Sequence, residues 1–274
     1  MPIDVAAEVT ANRPLSADYN VLALAAPAIA AAAAPGQFVM VKIGSGPSSR
    51  HDPLLRRPFS VFEVLRAGGG APTGMTLLNK RIGVSTGLLY AARPGQVAAC
   101  LGPLGRPFTL VSPPSEAWMV AGGVGLAPFA ALATSLRARH TTCTLFYGAR
   151  RGDELFYLDF FTSLGVELVL TTEDGSAGER GRVIAPIERR LAGREPDAPV
   201  MIYACGPEGM LAATAATAAR FSRPCEVSVE RIMGCGLGGC YSCVVPMRGH
   251  DGKFHHVRSC MAGPVLAADQ IRWD

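Results

Sequence analysis

Long apolar runs are missing from this chain of 274 residues. The most apolar stretch, "VLALAAPAIAAAAA" at 21–34, is shorter than a membrane span, contains Pro27 and follows an acidic start unlike a secretory leader. We therefore expect no membrane association and a reducing cytoplasm, where eight cysteines serve as metal ligands, catalytic thiols or core residues rather than as disulfides. Charge is scarce too: Asp, Glu, Lys and Arg make up 18% of the chain, the net charge is only +4, and no Lys/Arg block forms a basic stripe. That excludes an electrostatic nucleic-acid binder. Against these absences stand 49% hydrophobic residues, 31 Gly and 21 Pro, the composition of a globular protein with many tight turns. The length suits two modest domains and an appendage.

The cysteines are unevenly placed. Three fall within "MGCGLGGCYSC" (233–243), and the full pattern is Cys235-x4-Cys240-x2-Cys243-x16-Cys260. Plant-type 2Fe-2S sites use C-x4-C-x2-C with a distant fourth ligand, whereas structural zinc sites favour two separate C-x2-C pairs. Four thiolates around two irons leave net negative charge, which needs backbone N–H groups aimed at sulfur. Gly234, Gly236, Gly238 and Gly239 permit that approach. A zinc site and a redox-active cysteine pair stay open as alternatives. His250, His255 and His256 form no C-x-H pairing, so a Rieske centre is not expected and they read as surface residues. Cys100, Cys143 and Cys225 lie in or beside apolar strand-like runs and read as core. Cys205 ends "VMIYAC" at a strand-to-helix turn, a place where ligands collect in open α/β sheets.

From about 112 to 222, strand-length apolar runs alternate with helix-length segments: "AWMVAGG", "PFAALATSLRARH", "TCTLFYGAR", "DELFYLDFFTSL", "VELVLTT", "VIAPIERRLA", "PVMIYACG" and "EGMLAATAATAAR". This predicts a parallel sheet with helices on both faces. The first turn, "GGVGLAP" (122–128), lets a phosphate approach main-chain N–H groups at a helix start; by itself it is also an ordinary tight turn. Residues 1 to about 100 instead give short alternating segments, "QFVMVKI", "FSVFEV" and "GMTLLNKRI", the pattern of a small antiparallel barrel. Inside it, "RRPFS" (56–60) offers an arginine for a pyrophosphate and a hydroxyl for a flavin ring nitrogen, although Arg57 alone reads as a surface cation.

Taken in order, "RRPFS", "GPLGRPF", "GGVGLAPF", "YGAR", "TTEDGSAG" and "YACGPEGM" resemble the ferredoxin-NADP reductase superfamily. The short tail "ERIMGCGLGGCYSCVV" with "SCMAGPVL" is similar to the electron-transfer subunit of class 1B dihydroorotate dehydrogenase; it is too short for the full ferredoxin domain of phthalate dioxygenase reductase-like proteins. The resemblance implies an FAD-binding β-barrel over 1–108, an NAD-binding α/β domain over 109–223 and a small 2Fe-2S domain over 224–274. It places FAD on Arg57, Pro58, Phe59, Ser60, Leu78, Asn79, Lys80, Ser85 and Thr86, with Ser85 standing where the family has glycine. NAD(H) falls on Gly122, Gly123, Val124, Gly125, Gly206 and Pro207, with Cys205 beside the nicotinamide and Ser60 at the flavin as the two catalytic positions. The metal ligands implied are Cys235, Cys240, Cys243 and Cys260.

The implied activity passes electrons between NAD(H) and a partner by way of FAD and the 2Fe-2S cluster. In the resembled family the partner is an FMN-containing catalytic subunit that oxidises dihydroorotate to orotate in pyrimidine biosynthesis, assembled as two catalytic and two electron-transfer subunits. Tyr241 and Arg248 flank the cluster ligands and are candidates for docking it. A small subunit of a sulfide dehydrogenase or ferredoxin-NADP oxidoreductase is the enzyme alternative; a zinc-stabilised nucleotide-binding module is the non-enzyme one. Arg150 and Arg151 leave the choice of NADH or NADPH open, the resemblance favouring NADH.

Overall fold

The computed structural model describes residues 1–44, 53–68, 70–249 and 251–273. The first half is a seven-stranded antiparallel sheet: β1 (Ile3–Pro14), β2 (Tyr19–Ala25), β3 (Phe38–Ile43), β4 (Arg57–Ser60), β5 (Glu63–Arg66), β6 (Pro72–Lys80) and β7 (Val97–Leu104). Their order is β4-β3-β7-β1-β2-β6-β5, so β4 and β5 are edges, and the sheet curls until β4 approaches β6. The barrel is thus a curled open sheet. Its inside is packed with Val9, Leu22, Leu24, Val39, Val41, Met75, Leu77 and Cys100. The long apolar stretch at 21–34 divides at Pro27, which ends β2 and supplies the first residue of α1 (Pro27–Ala32). The segment "FSVFEV" divides as well, into β4 and β5, around the buried pair Val61 and Phe62.

Three linked amides brace this sheet, Asn20 and Asn79 buried and Asn12 half-buried. Asn79 donates to Asn20 Oδ1 (2.7 Å), Asn20 to Asn12 Oδ1 (2.6 Å), and Asn12 to the carbonyls of Tyr90 (2.9 Å) and Ala92 (2.8 Å). These last residues end α2 (Val84–Tyr90), so the chain of amides across β6, β2 and β1 fixes where that short helix sits.

The second sheet comprises β8 (Glu116–Gly122), β9 (Cys143–Ala149), β10 (Glu167–Thr172), β11 (Glu179–Arg180), β12 (Val200–Cys205) and β13 (Cys225–Ser228), all parallel, in the order β11-β10-β9-β8-β12-β13. Along β8 the side chains alternate: Ala117, Met119 and Ala121 pack under α3 (Phe129–Arg137) and α4 (Leu158–Ser163), while Trp118 and Val120 pack under α5 (Ile184–Ala192) and α6 (Glu208–Arg220). Burial on both faces is why these strands read as continuous apolar runs. The helix expected across "DELFYLDFFTSL" is divided: its start lies in a 3-10 turn, Gly152–Glu154, and α4 begins only after Tyr157, which adopts a left-handed φ of 62° at the N-cap.

After β13 the chain forms the cysteine loop, a hairpin of β14 (Val244–Arg248) and β15 (Phe254–Arg258), the short α7 (Ser259–Ala262) and β16 (Val265–Ala267). β16 pairs antiparallel with β13, so the tail closes back onto the parallel sheet. One apolar cluster joins the halves, with Val21, Phe62 and Leu78 of the curled sheet packed beside Phe129 and Ala130, and Ala131 N donating to Phe62 O (2.9 Å).

Asn20→Ala is expected to lower stability by about 2 kcal/mol, since it removes the partner of the buried Asn79 amide and the donor to the half-buried Asn12 carbonyl. An unchanged denaturation midpoint would show that the amide chain is dispensable.

Candidate functional site

A cleft of about 840 Å3 lies between the curled sheet, the parallel sheet and the segment that follows β13. Its size is that of a cofactor pocket. β4 brings Arg57, Pro58, Phe59 and Ser60 to its wall, and β6 and α2 bring Leu78, Lys80, Ser85 and Thr86. Pro58 lacks an N–H, which an edge strand tolerates. The Arg57 guanidinium donates only to the carbonyls of Leu55 (3.2 Å) and Arg56 (3.3 Å) and has no carboxylate partner among the described residues. A half-buried cation without an acid suits an anion. Thr86 Oγ1 accepts from the N–H groups of Ile82 (2.9 Å) and Gly83 (3.0 Å), which locks the turn leading into α2. Ser85 sits in regular helix and is not among the residues with positive φ. Its side chain therefore costs the backbone nothing, and glycine is not required there.

Asn79 does not line the cleft. It is buried behind it, bonded to Asn20 and to Thr86 O (3.0 Å), and so holds the wall rather than forming it.

The floor comes from the parallel sheet. Val124 and Cys205 line it; Gly122, Gly123, Gly125, Gly206 and Pro207 build the turns beneath. Gly123 has a φ of +56°, and a Cβ there would make an ordinary 3.8 Å contact with the Tyr19 hydroxyl. Gly125 is different, because a Cβ there would run into the Cys205 carbonyl, so this glycine serves backbone packing between the two turns. The Cys205 thiol is buried, and burial followed by the charge of Glu230 raises its pKa well above the usual thiol range. It is a neutral S–H at physiological pH, not a thiolate nucleophile.

Sequence reasoning missed the far wall: Ser228, Val229, Glu230, Ile232 and Met233, the link from β13 to the cysteines. No motif marks it; only its position between two recognisable signals could have drawn attention. Glu230 is reached by solvent through the open cleft, yet protein surrounds it, and that desolvation raises its pKa against the pull of Lys80. The Lys80 ammonium lies 5.2 Å from the centre of the Tyr19 ring.

The four cysteines of the motif lie near one another, with Cys260 also feeling Cys235. Cys235 and Cys240 interact with each other, as do Cys243 and Cys260. Leu237 N donates to Cys235 Sγ (3.3 Å), and Ser242 Oγ accepts from Gly234 N (3.0 Å) while lying 3.1 Å from Cys240 Sγ. Hydrogen bonds from Ser242, then Cys235, lower the Cys240 pKa to about 6, whereas burial and the neighbouring Cys243 raise that of Cys260 to about 11. Four thiols gathered around a loop that points an N–H at sulfur would suit the ligation of a two-iron cluster. Gly236, at φ +71°, passes so close to Met40 that a Cβ would clash with it.

Cys100 and Cys143 are buried and Cys225 is half-buried; burial pushes their thiols up to about 12, 11 and 12, respectively. His255 pairs with Asp251 (3.0 Å), His256 is exposed, and His250 lies outside the described residues. Tyr241 is exposed beside Cys240, with the Arg258 guanidinium 4.7 Å from its ring centre, whereas Arg248 stacks on Phe254 (5.1 Å) along the hairpin. Arg151 is drawn to Asp153 (3.1 Å) and Glu154 (3.8 Å).

Comparison with known proteins agrees with this geometry. Residues 119–216 match the oxidoreductase NAD-binding domain, and residues 230–272 match the iron-sulfur cluster binding domain of dihydroorotate dehydrogenase B. The chain is 38% identical over 249 residues to the dihydroorotate dehydrogenase B (NAD(+)) electron transfer subunit of Desulforamulus reducens, covering 91% of this chain and 90% of that one. It is 37% identical to the corresponding subunit of Bacillus caldolyticus, covering 86% of each. Among solved structures, an NADH-dependent reduced ferredoxin-NADP oxidoreductase studied for flavin-based electron bifurcation superposes with a TM-score of 0.82 at 26% identity, over 98% of this chain and 91% of that one. A ferredoxin NADP+ reductase from Neisseria gonorrhoeae with bound FAD and NADP shares the fold, with a TM-score of 0.61 at 19% identity over 80% of this chain and 91% of that one.

Arg57→Ala is expected to weaken FAD binding by about 2 kcal/mol, the scale of losing charge-assisted bonds to an anion. Fluorescence titration of apoprotein with FAD reads it; unchanged affinity would remove Arg57 from the site. Gly123→Val should raise the KM for NADH strongly without altering the bound-flavin spectrum, and a normal rate of flavin reduction would show that the nucleotide lies elsewhere.

Proposed function

The chain belongs to the family of dihydroorotate dehydrogenase B electron transfer subunits, and from that premise we propose that it carries electrons between NAD(H) and a separate catalytic subunit during oxidation of dihydroorotate to orotate in pyrimidine biosynthesis. The observation that supports this most is that Phe38 and Met233, which line the flavin-sized cleft, share one apolar cluster with the thiols of Cys243 and Cys260. FAD, when bound, supplies the exchange between a two-electron hydride and single electrons that side chains cannot perform.

The chain's own residues have distinct duties in this reading. Arg57 binds the FAD pyrophosphate, Pro58, Phe59 and Leu78 form apolar wall, and Ser60 offers its hydroxyl to the flavin ring. Lys80, with the first-turn N–H groups at Ser85 and Thr86, adds to the anion site; Asn79 keeps α2 in place. Gly122, Gly123, Val124 and Gly125, with Gly206 and Pro207, cradle NAD(H) at the crevice where the turns after β8 and β12 meet. The neutral Cys205 thiol excludes water beside the nicotinamide without competing for hydride. Cys235, Cys240, Cys243 and Cys260 ligate the 2Fe-2S cluster. NADH is favoured over NADPH because Asp153 and Glu154 occupy Arg151 and add negative charge where a 2'-phosphate would need the reverse.

The partner is an FMN-containing catalytic subunit, in an assembly of two catalytic and two electron-transfer subunits in the cytoplasm. Among the described residues no helix is long and apolar enough to cross a membrane. Around Cys240 the surface exposes Leu237, Tyr241 and Met261 at 53%, 63% and 52%. Exposed apolar side chains ringing a redox centre suit protein docking. A second reading, the small subunit of a ferredoxin-NADP oxidoreductase, draws on the structural likeness over nearly the whole chain. Identification of the subunit that copurifies discriminates the two.

Changing any of the four cluster cysteines to Ser is expected to abolish or alter the paramagnetic signal of the anaerobically reduced protein while NADH still reduces FAD. Stoichiometric zinc with no iron in wild-type protein, together with unfolding on loss of one ligand, would overturn the electron-transfer reading.

A further inference from the structure

The wall between cleft and cysteines consists of few residues. Phe38, Met40, Leu104 and Met233 pack with Cys243 and Cys260 into one apolar cluster in which every member is at most 5% exposed. Of the four apolar side chains, Phe38 and Met233 also line the cleft. Phe38 belongs to β3 and is far from the thiols in sequence. Met233 is two residues from Cys235, within the segment that leaves β13, passes along the cleft and becomes the cysteine loop. It touches both compartments and is tied by the main chain to one of them. The thiols on its side are the buried pair, Cys243 and Cys260 at 2% exposure each, while Cys240 of the other pair faces solvent.

We infer that Met233 is the residue across which electrons pass between the cleft and the Cys243/Cys260 half of the cluster, and that its packing sets the rate of that passage. The inference rests on the proposed function. With NADH as reductant, a hydride brings two electrons to the flavin. Each electron then crosses singly, so the flavin is oxidised and the cluster reduced by one electron per crossing. Two crossings per NADH return the flavin to its oxidised form, its protons leave to solvent, and an external one-electron acceptor reoxidises the cluster each time. A long, flexible, polarisable thioether fills this wall without a gap. Truncation opens a void, because the surrounding β3, β7 and cysteine loop are held by other contacts and collapse only partly.

The test uses holoprotein under anaerobic rapid mixing with NADH, following flavin bleaching and the cluster signal separately. Met233→Ala should slow cluster reduction relative to flavin reduction by about tenfold, in line with the rate cost of small displacements at a reacting pair. Met233→Leu, which keeps the wall filled, should restore most of that loss. Titration of apoprotein with FAD should shift by less than the rate does, and the paramagnetic spectrum of the dithionite-reduced cluster should keep its shape. Equal ratios in wild type and Met233→Ala would overturn the inference. So would loss of FAD or of the cluster signal in both variants, which would make Met233 a packing residue only. Wild-type protein lacking flavin or the paramagnetic signal would overturn the functional reading itself.

Discussion

The turn after β8 rests directly on the turn after β12, backbone against backbone. Gly125 is pressed to the Cys205 carbonyl, and a Cβ at Gly206 would approach Gly122 N to 3.0 Å. This contact exists because β8 and β12 are neighbours in the sheet although about eighty residues apart in the chain. At such a crossover the helices that follow the two strands lie on opposite faces, leaving a crevice at the strand ends. Side chains in the turns would push them apart and fill that crevice. The cleft floor is therefore a consequence of two strands being adjacent and their turns being bare.

Everything else is hung around that floor. The curled sheet supplies a wall because Val21, Phe62 and Leu78 continue the apolar cluster of the parallel sheet, so the two halves share a core. The other wall depends on the tail. β13 extends the parallel sheet beside β12, the chain then runs out along the cleft into the cysteine loop, and β16 returns to pair with β13. A loop rich in glycine has high conformational entropy, and anchoring both of its ends on one sheet offsets part of that cost. The hairpin adds Val245, which is buried, and Ile271 beyond β16 bonds back across to Met247.

Electrostatics divide the site by task. Among the described residues Arg57 meets backbone carbonyls and no carboxylate, whereas Arg151 is held by the carboxylates of Asp153 and Glu154. Several other arginines are likewise paired to acids at the surface, as in Arg189 with Glu179 and Arg190 with Glu167. Such exposed pairs add little stability. The thiols divide in the same way: hydrogen bonds favour the thiolate at exposed Cys240, and burial favours the neutral form at Cys205.

What the sequence determined by itself was local. Strand and helix periods, the C-x4-C-x2-C spacing, "RRPFS" and the glycine turn each depend on residues close together in the chain, where side-chain periodicity and turn chemistry act directly. Even locally some features escaped: Tyr157 in a left-handed conformation shortens a helix whose apolar period continues past it, because tertiary packing overrode the pattern. Tertiary structure decided the rest. Asn79 belongs to an amide chain behind the wall rather than to the cleft, since its partners Asn20 and Asn12 meet it only through strand pairing. Glu230 and Met233 became part of the site because β13 ends at the mouth of the cleft, a position set by sheet order and not by any motif. Spacing identified four cysteines, but which two are buried and which one meets solvent follows from how the loop is pressed between β3, β7 and α7. Burial is a property of contacts between distant segments, and no stretch of chain contains it alone.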